Sequence, residues 1–221
     1  MKLIRRYAIA ITLALLALVM AAVLYPQLPA RVPVHWSATG AVNAWMPKSI
    51  GVFLLPVIAL AVVVLLIFHE PENFREPQAG SIHWIYPAMV AVFSGFMLYV
   101  TILMLFAGMG MHFAISVYVT VGIGILFAVT GASLGKVPPN RRVGLRFRWT
   151  LSNREVWSRT HRLAGWLFTL GGLGTAALAL ITRSPSSAIY GMAVLLGLAL
   201  LAALYSFIVS RRLKHNGISG D

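Results

Sequence analysis

The chain has 221 residues, of which 59% are hydrophobic and only 10% charged, with no cysteine and a formal net charge of +13. So few charges cannot cover a water-soluble surface, which normally carries about a quarter charged residues, so most of the solvent is lipid. Without cysteine there are no disulfides and no thiolate chemistry, and the basic residues gather at the ends of apolar runs, as topology signals and anionic-headgroup contacts rather than as a direct nucleic-acid surface.

Six apolar runs predict an all-α, polytopic membrane helix bundle. The first, Tyr7 to Leu24, follows Lys2, Arg5 and Arg6. It exceeds the roughly 7–15 residues of a signal-peptide core and no clean small-x-small cleavage site follows, so it reads as a retained helix. Pro26 and Pro29 stop it. The loop from Tyr25 to Lys48 holds Pro33, His35, Trp36, Gly40 and Trp45. Its prolines favour an extended path, Gly40 permits a tight turn, and the tryptophans suit the headgroup region. It reads as a stiff re-entry loop or as a structured recognition surface.

The second run, Ser49 to Phe68, contains Pro56 and ends at His69-Glu70. Glu70, Glu72 and Glu76 are expected in a solvated interfacial loop, facing the long basic loop further on. His69-Glu70-Pro71-Glu72 fits no established metal spacing, so no metal and no cofactor is expected. Two spans follow, near Trp84 to Phe106 and His112 to Leu134, joined by a turn at Ala107-Gly108-Met109-Gly110. Met104, Met109, Met111 and His112 read as packing or lipid-facing residues rather than a copper site. Pro138-Pro139 open a basic loop over 135–162, in which Ser152 and Glu155 have capping-box spacing, predicting a helix that starts at Ser152. Glu155 and Arg159 then form an i,i+4 pair, and Trp149 and Trp157 with the arginines suggest a segment against anionic lipid. The last runs are Leu163 to Thr182 and Ser187 to Ser210. At ~1.5 Å per residue each run is long enough to cross a ~30 Å hydrocarbon core.

Charge sets the expected direction. With both termini in the cytoplasm, all but three of the 18 Lys and Arg residues (Arg31, Lys48 and Arg183) fall on the inner side, which is the positive-inside pattern. Gly122 and Gly124 in the fourth helix, and Gly171, Gly172 and Gly174 in the fifth, are expected to let backbones approach inside one bundle. Glu70, Glu72, Glu76, Glu155 and Asp221 are the only acids, and no acid, lysine or arginine lies within a run. That argues against ion-coupled pumping and against enzymatic chemistry, and leaves a carrier of neutral solutes or lipids as the alternative.

The two loops together resemble the SdpI family of bacterial membrane proteins. The outer loop is similar to the LP-x3-P-x-HW-x3-G stretch of the small domain of unknown function that precedes the SdpI region. The inner loop resembles the family signature at Asn140, Gly144, Arg146, Trp149-Thr150-Leu151-Ser152-Asn153, Val156-Trp157, Thr160-His161 and Gly165. It departs at Arg148, where the family commonly has proline. The resemblance implies two regions: a two-helix unit with the outer loop over 1–70, and a four-helix SdpI-like region over 84–212. It implies a bacterial cytoplasmic-membrane protein giving immunity to a secreted toxic peptide, with signal transduction through an ArsR-type repressor held at the inner face. The expected contacts are Pro33, His35, Trp36, Gly40 and Lys48 outside, and Asn140, Gly144, Arg146, Trp149, Thr150, Asn153, Trp157 and His161 inside.

Overall fold

The computed structural model describes residues 2–37, 39–71, 74 and 83–215. Among them are six helices long and apolar enough to cross a membrane. A short helix α1 (Lys2–Arg6) leads through Tyr7 into α2 (Ala8–Leu24), which ends in a 3-10 turn at Tyr25–Gln27 where Pro26 can no longer supply an N–H. Two strands follow, β1 (Arg31–Trp36) and β2 (Val42–Pro47), then α3 (Lys48–Phe68), α4 (Ile85–Gly108), α5 (Ile115–Leu134), the one-turn helix α6 (Arg148–Leu151), α7 (Arg154–Thr182) and α8 (Ser187–His215).

The bundle is all-α apart from that hairpin, which the sequence indicated only as an extended path. Its strands pair antiparallel, Arg31 opposite Pro47 and Trp36 opposite Val42, with irregular register around Pro33 and His35. Pro33 has no N–H for the ladder, so a regular sheet cannot continue through it. Gly40 closes the turn at φ +84. The third and fourth spans meet at the expected turn, where Gly110 takes φ +84, but α5 starts at Ile115 instead of His112.

Packing is inverted relative to a soluble protein. The buried positions of α2 are Ala10, Ala14, Ala17 and Ala21, while Ile9, Val23, Leu65, Leu170, Ile181 and Leu200 point outward and are exposed. Small residues inside let the helices approach, and large apolar ones outside suit lipid. Inside the spans, Ser94, Thr101 and Thr120 turn their hydroxyls back on carbonyls four residues earlier, which removes the need for other partners. The helices α2, α3 and α4 pack on one another, as do α5, α7 and α8, and α4 meets α5. The tightest seam joins α5 to α7. A Cβ on Gly124 would lie 2.6 Å from the Gly172 carbonyl, and one on Gly131 would lie 2.6 Å from the Thr169 nitrogen.

Two sequence expectations are corrected at the end of the bundle that carries both chain ends. Helix α7 is capped by Asn153, not Ser152: Asn153 Oδ1 accepts the Glu155 and Val156 N–H groups at 2.9 and 3.0 Å. Ser152 instead closes α6, its N–H donating to the Arg148 carbonyl at 3.1 Å. Glu70 is not solvated but 1% exposed, with its carboxylate 2.7 Å from Arg6. The Arg159–Glu155 pair is present at 2.6 Å. Glu72 and Glu76 lie outside the described residues.

Candidate functional site

The outer-loop residues come together over the helix ends. Val32 and Val34 of β1 pack on Gly51 of α3, where a side chain would leave no room. The hairpin therefore lies flat against the bundle. Val32 also packs against Gly108 at the end of α4, and at the hairpin tip Gly40 meets Pro185 in the α7–α8 connection. Beneath the hairpin lies a cavity of about 400 Å³ between α3, α4, α5, α7 and α8, lined by His35 and Trp36 together with Ser116, Thr120, Thr175 and Gly191. Gly191 lets Thr120 and Thr175 meet across it, since a Cβ there would fall 2.7 Å from the Thr175 methyl.

Polarity in this cavity is unspent. His35 Nδ1 is 2.6 Å from Asn43 Oδ1, a contact that orients the ring. Thr175 is 4% exposed, and its hydroxyl, like that of Ser116, is buried with no hydrogen-bond partner among the described residues. Such groups normally find partners, and a ligand with amide or hydroxyl groups would supply them. Sequence reasoning missed Asn43, Ser116 and Thr175, because isolated hydroxyls in apolar runs usually bond their own helix, as Thr120 does to the Ser116 carbonyl at 2.7 Å. Lys48 is placed beside the cavity's elements but is committed elsewhere, donating to the Tyr25 and Leu28 carbonyls at 3.3 and 3.0 Å. Pro33 is buried beneath the strand and does not line the cavity.

At the opposite end the basic loop is held by its own signature residues. Asn140 uses its whole amide: Oδ1 accepts Arg142 and Val143 N–H groups at 2.8 and 2.7 Å, and Nδ2 donates to the Pro138 and Val143 carbonyls. Gly144, at φ +108, lies so close to the His161 ring that a side chain there would strike Nε2. The Leu145 N–H donates to that Nε2 at 3.1 Å while His161 Nδ1 donates to the Trp157 carbonyl at 2.9 Å, which fixes a neutral ring. Thr150 Oγ1 accepts the Phe147 N–H at 2.9 Å.

Both tryptophans expected at the lipid surface are used internally. Trp157 is 2% exposed and donates to the Val137 carbonyl at 2.8 Å, so it is core, not an anchor. Trp149 donates to Ser206 Oγ on α8 at 2.9 Å and stacks on Phe147. Arg148 explains the family's usual proline: it is the first residue of α6, after an extended Phe147. Proline is favoured at a first helical position because its N–H would be unpaired anyway, so the backbone here would also accept it. Of the expected inner contacts, the Arg146 side chain is exposed and, among the described residues, bonds the Arg141 carbonyl at 2.7 Å. The loop also reaches back to the first helices, Arg142 donating to the Glu70 carbonyl at 2.6 Å. That contact joins the basic loop to the Glu70 backbone, while the Glu70 carboxylate faces Arg6.

Residues 12–60, which cover most of α2, the hairpin and most of α3, match the domain of unknown function DUF1648. Residues 136–210, from the basic loop through most of α8, match the SdpI/YfhL protein family. The chain is 25% identical to the Immunity protein SdpI of Bacillus subtilis (strain 168) over 210 residues, which is 93% of this chain and 94% of that protein. No solved structure matches it.

Proposed function

We propose that this chain, a member of the SdpI/YfhL protein family through residues 136–210, is a non-enzymatic immunity and signal-transduction protein of the bacterial cytoplasmic membrane. The hairpin end meets a secreted toxic peptide. The observation that supports this reading is the cavity under the hairpin, where His35, Trp36 and the unpaired Ser116 and Thr175 hydroxyls offer an apolar slot with a few convergent polar groups. The volume suits a short segment or a few side chains of a peptide, not a globular partner. At the other end, the exposed arginines of the basic loop are the surface for a soluble partner such as a small repressor.

This reading needs the hairpin outside and both termini inside. The chain has no native cysteine, so single cysteines at Ser37, Ser152 and Ser184 report topology cleanly. An impermeant thiol reagent on intact cells is expected to label positions 37 and 184 and to spare 152. Labelling of 152 reverses the orientation and removes the basis for external recognition.

Function is tested by survival of a sensitive strain expressing the protein, challenged with purified candidate peptides from its own genome. Trp36→Ala and His35→Ala are expected to lower the tolerated dose by about ten- to thirty-fold at equal membrane level, the size of a truncated central contact. A wild-type chain that protects against none of the peptides sinks the immunity reading. The same cavity, with its unpaired hydroxyls, then favours a carrier of a small neutral solute.

A further inference from the structure

A second and larger cavity, about 690 Å³, lies at the basic-loop end, between α3, α4, α5 and α7 with the loop as its roof. Its polarity is graded along its length. Arg142 and Arg146 stand at the roof, and the walls below are Met89, Phe93, Leu126 and Phe127. From Tyr86 to Phe93, the stretch of α4 that lines it, is about 10 Å at the rise of an α-helix. The space is therefore long, apolar at depth and cationic at one end.

Two backbone carbonyls hold the arginines in place. Arg142 donates one nitrogen to the Glu70 carbonyl at 2.6 Å, and Arg146 donates one to the Arg141 carbonyl at 2.7 Å. Both are otherwise exposed, and among the described residues neither is paired with a carboxylate. Among the described residues each guanidinium keeps donors free in a geometry suited to phosphate oxygens. We propose that this cavity binds one anionic phospholipid, its phosphodiester between Arg142 and Arg146 and an acyl chain against Phe93 and Phe127. A free phosphate satisfies only the roof, and a neutral lipid only the walls; the combination selects a molecule with both. Because α3 and α4 form one side and α5 and α7 the other, the bound lipid bridges the DUF1648 part and the SdpI part of the chain. This site is separate from the hairpin cavity and does not depend on the peptide reading, but it draws Arg142 and Arg146 from the basic-loop surface proposed for a soluble partner, so lipid retention is measured with no partner present.

The experiment is native mass spectrometry and thermal unfolding of the full chain, exchanged into nanodiscs or detergent with dioleoyl-phosphatidylglycerol, dioleoyl-phosphatidylcholine or inorganic phosphate. Wild type is expected to retain one phosphatidylglycerol in preference to phosphatidylcholine and to unfold at higher temperature with it, while phosphate alone gives no shift. Arg146→Gln, which among the described residues removes the bond to the Arg141 carbonyl, is expected to reduce that preference about five-fold, and Arg142→Gln/Arg146→Gln about twenty-five-fold, at roughly 1 kcal/mol per arginine near anionic lipid. Met89→Trp, which fills the apolar depth, is expected to lose the retained lipid while its unfolding temperature in phosphatidylcholine stays near wild type. Equal retention of the two lipids by wild type, or undiminished phosphatidylglycerol in Arg146→Gln and Met89→Trp alike, overturns the proposal. So does protection of the cavity residues by an acidic peptide but by no lipid, which would make it a protein-docking groove.

Discussion

Gly172→Leu is expected to leave no folded protein that survives detergent extraction, and Gly172→Ala to fold with a loss of about 1–3 kcal/mol, the usual range for overpacking. A Cβ on Gly172 would meet the Gly124 carbonyl and lie 2.6 Å from the Ala128 nitrogen. Those are backbone atoms, which cannot rotate away as a side-chain tip can. Lipid tails are as apolar as leucine, so no hydrophobic gain offsets the separation of α5 and α7. The control is Gly174, two residues along the same helix, where nothing lies within 4 Å of an added Cβ. Gly174→Ala is expected to be neutral or stabilising by up to about 1 kcal/mol through helix propensity. Thermal unfolding of the three variants in one detergent checks both statements, and equal behaviour of Gly172→Ala and Gly174→Ala contradicts the seam.

That seam was legible in the sequence as a run of glycines, but not which glycine does the work. Gly172 touches α5 backbone whereas Gly174 faces open space, and the difference is a rotation of about 200° around a helix whose phase the uniform apolar pattern does not mark. The six spans were legible for the same reason that their faces were not: hydropathy reports the lipid, and lipid surrounds nearly every outward face. Helix ends were readable to within a few residues wherever proline, glycine or charge intervened.

The hairpin was hidden by its own prolines, which argue against a strand until the paired register is seen to break at Pro33. The signature loop was recognised residue by residue, yet its chemistry was misjudged. Indole rings near arginines suggested a lipid surface, while Trp157 and His161 in fact stack at 3.9 Å between centroids and anchor the loop to α7. Local sequence cannot show this, since the Trp157 acceptor is twenty residues away at Val137.

Glu70→Leu is expected to destabilise the protein by about 3 kcal/mol and to loosen the basic loop at the same time. The carboxylate is 1% exposed and faces Arg6, whose side chain is 23% exposed. Removing one member of a buried pair leaves an uncompensated charge, a cost of about 3–5 kcal/mol, and the partial exposure of Arg6 places this case at the low end. Arg6 also donates to the carbonyls of Phe74 and His83, so it cannot simply swing into water. Tyr7 packs beside the same carboxylate, and together with Ile67, Phe74, Tyr86, Val137 and Trp157 it builds one core shared by the first helices and the loop. The backbone of Glu70 is the acceptor for Arg142, so a shift of this residue releases the loop from the N-terminal helices. The double variant Arg6→Met/Glu70→Leu removes both charges and is expected to recover part of the stability, though not all, because the Phe74 and His83 carbonyls lose a donor. Two readouts separate the causes. Unfolding temperature reports the pair, and amide hydrogen exchange over 140–147 reports the loop, which should exchange faster in Glu70→Leu than in wild type. If Glu70→Leu unfolds within about 0.5 kcal/mol of wild type, the range of an ordinary surface substitution, then the carboxylate is solvated after all. Faster loop exchange without lost stability would assign Glu70 to loop attachment alone.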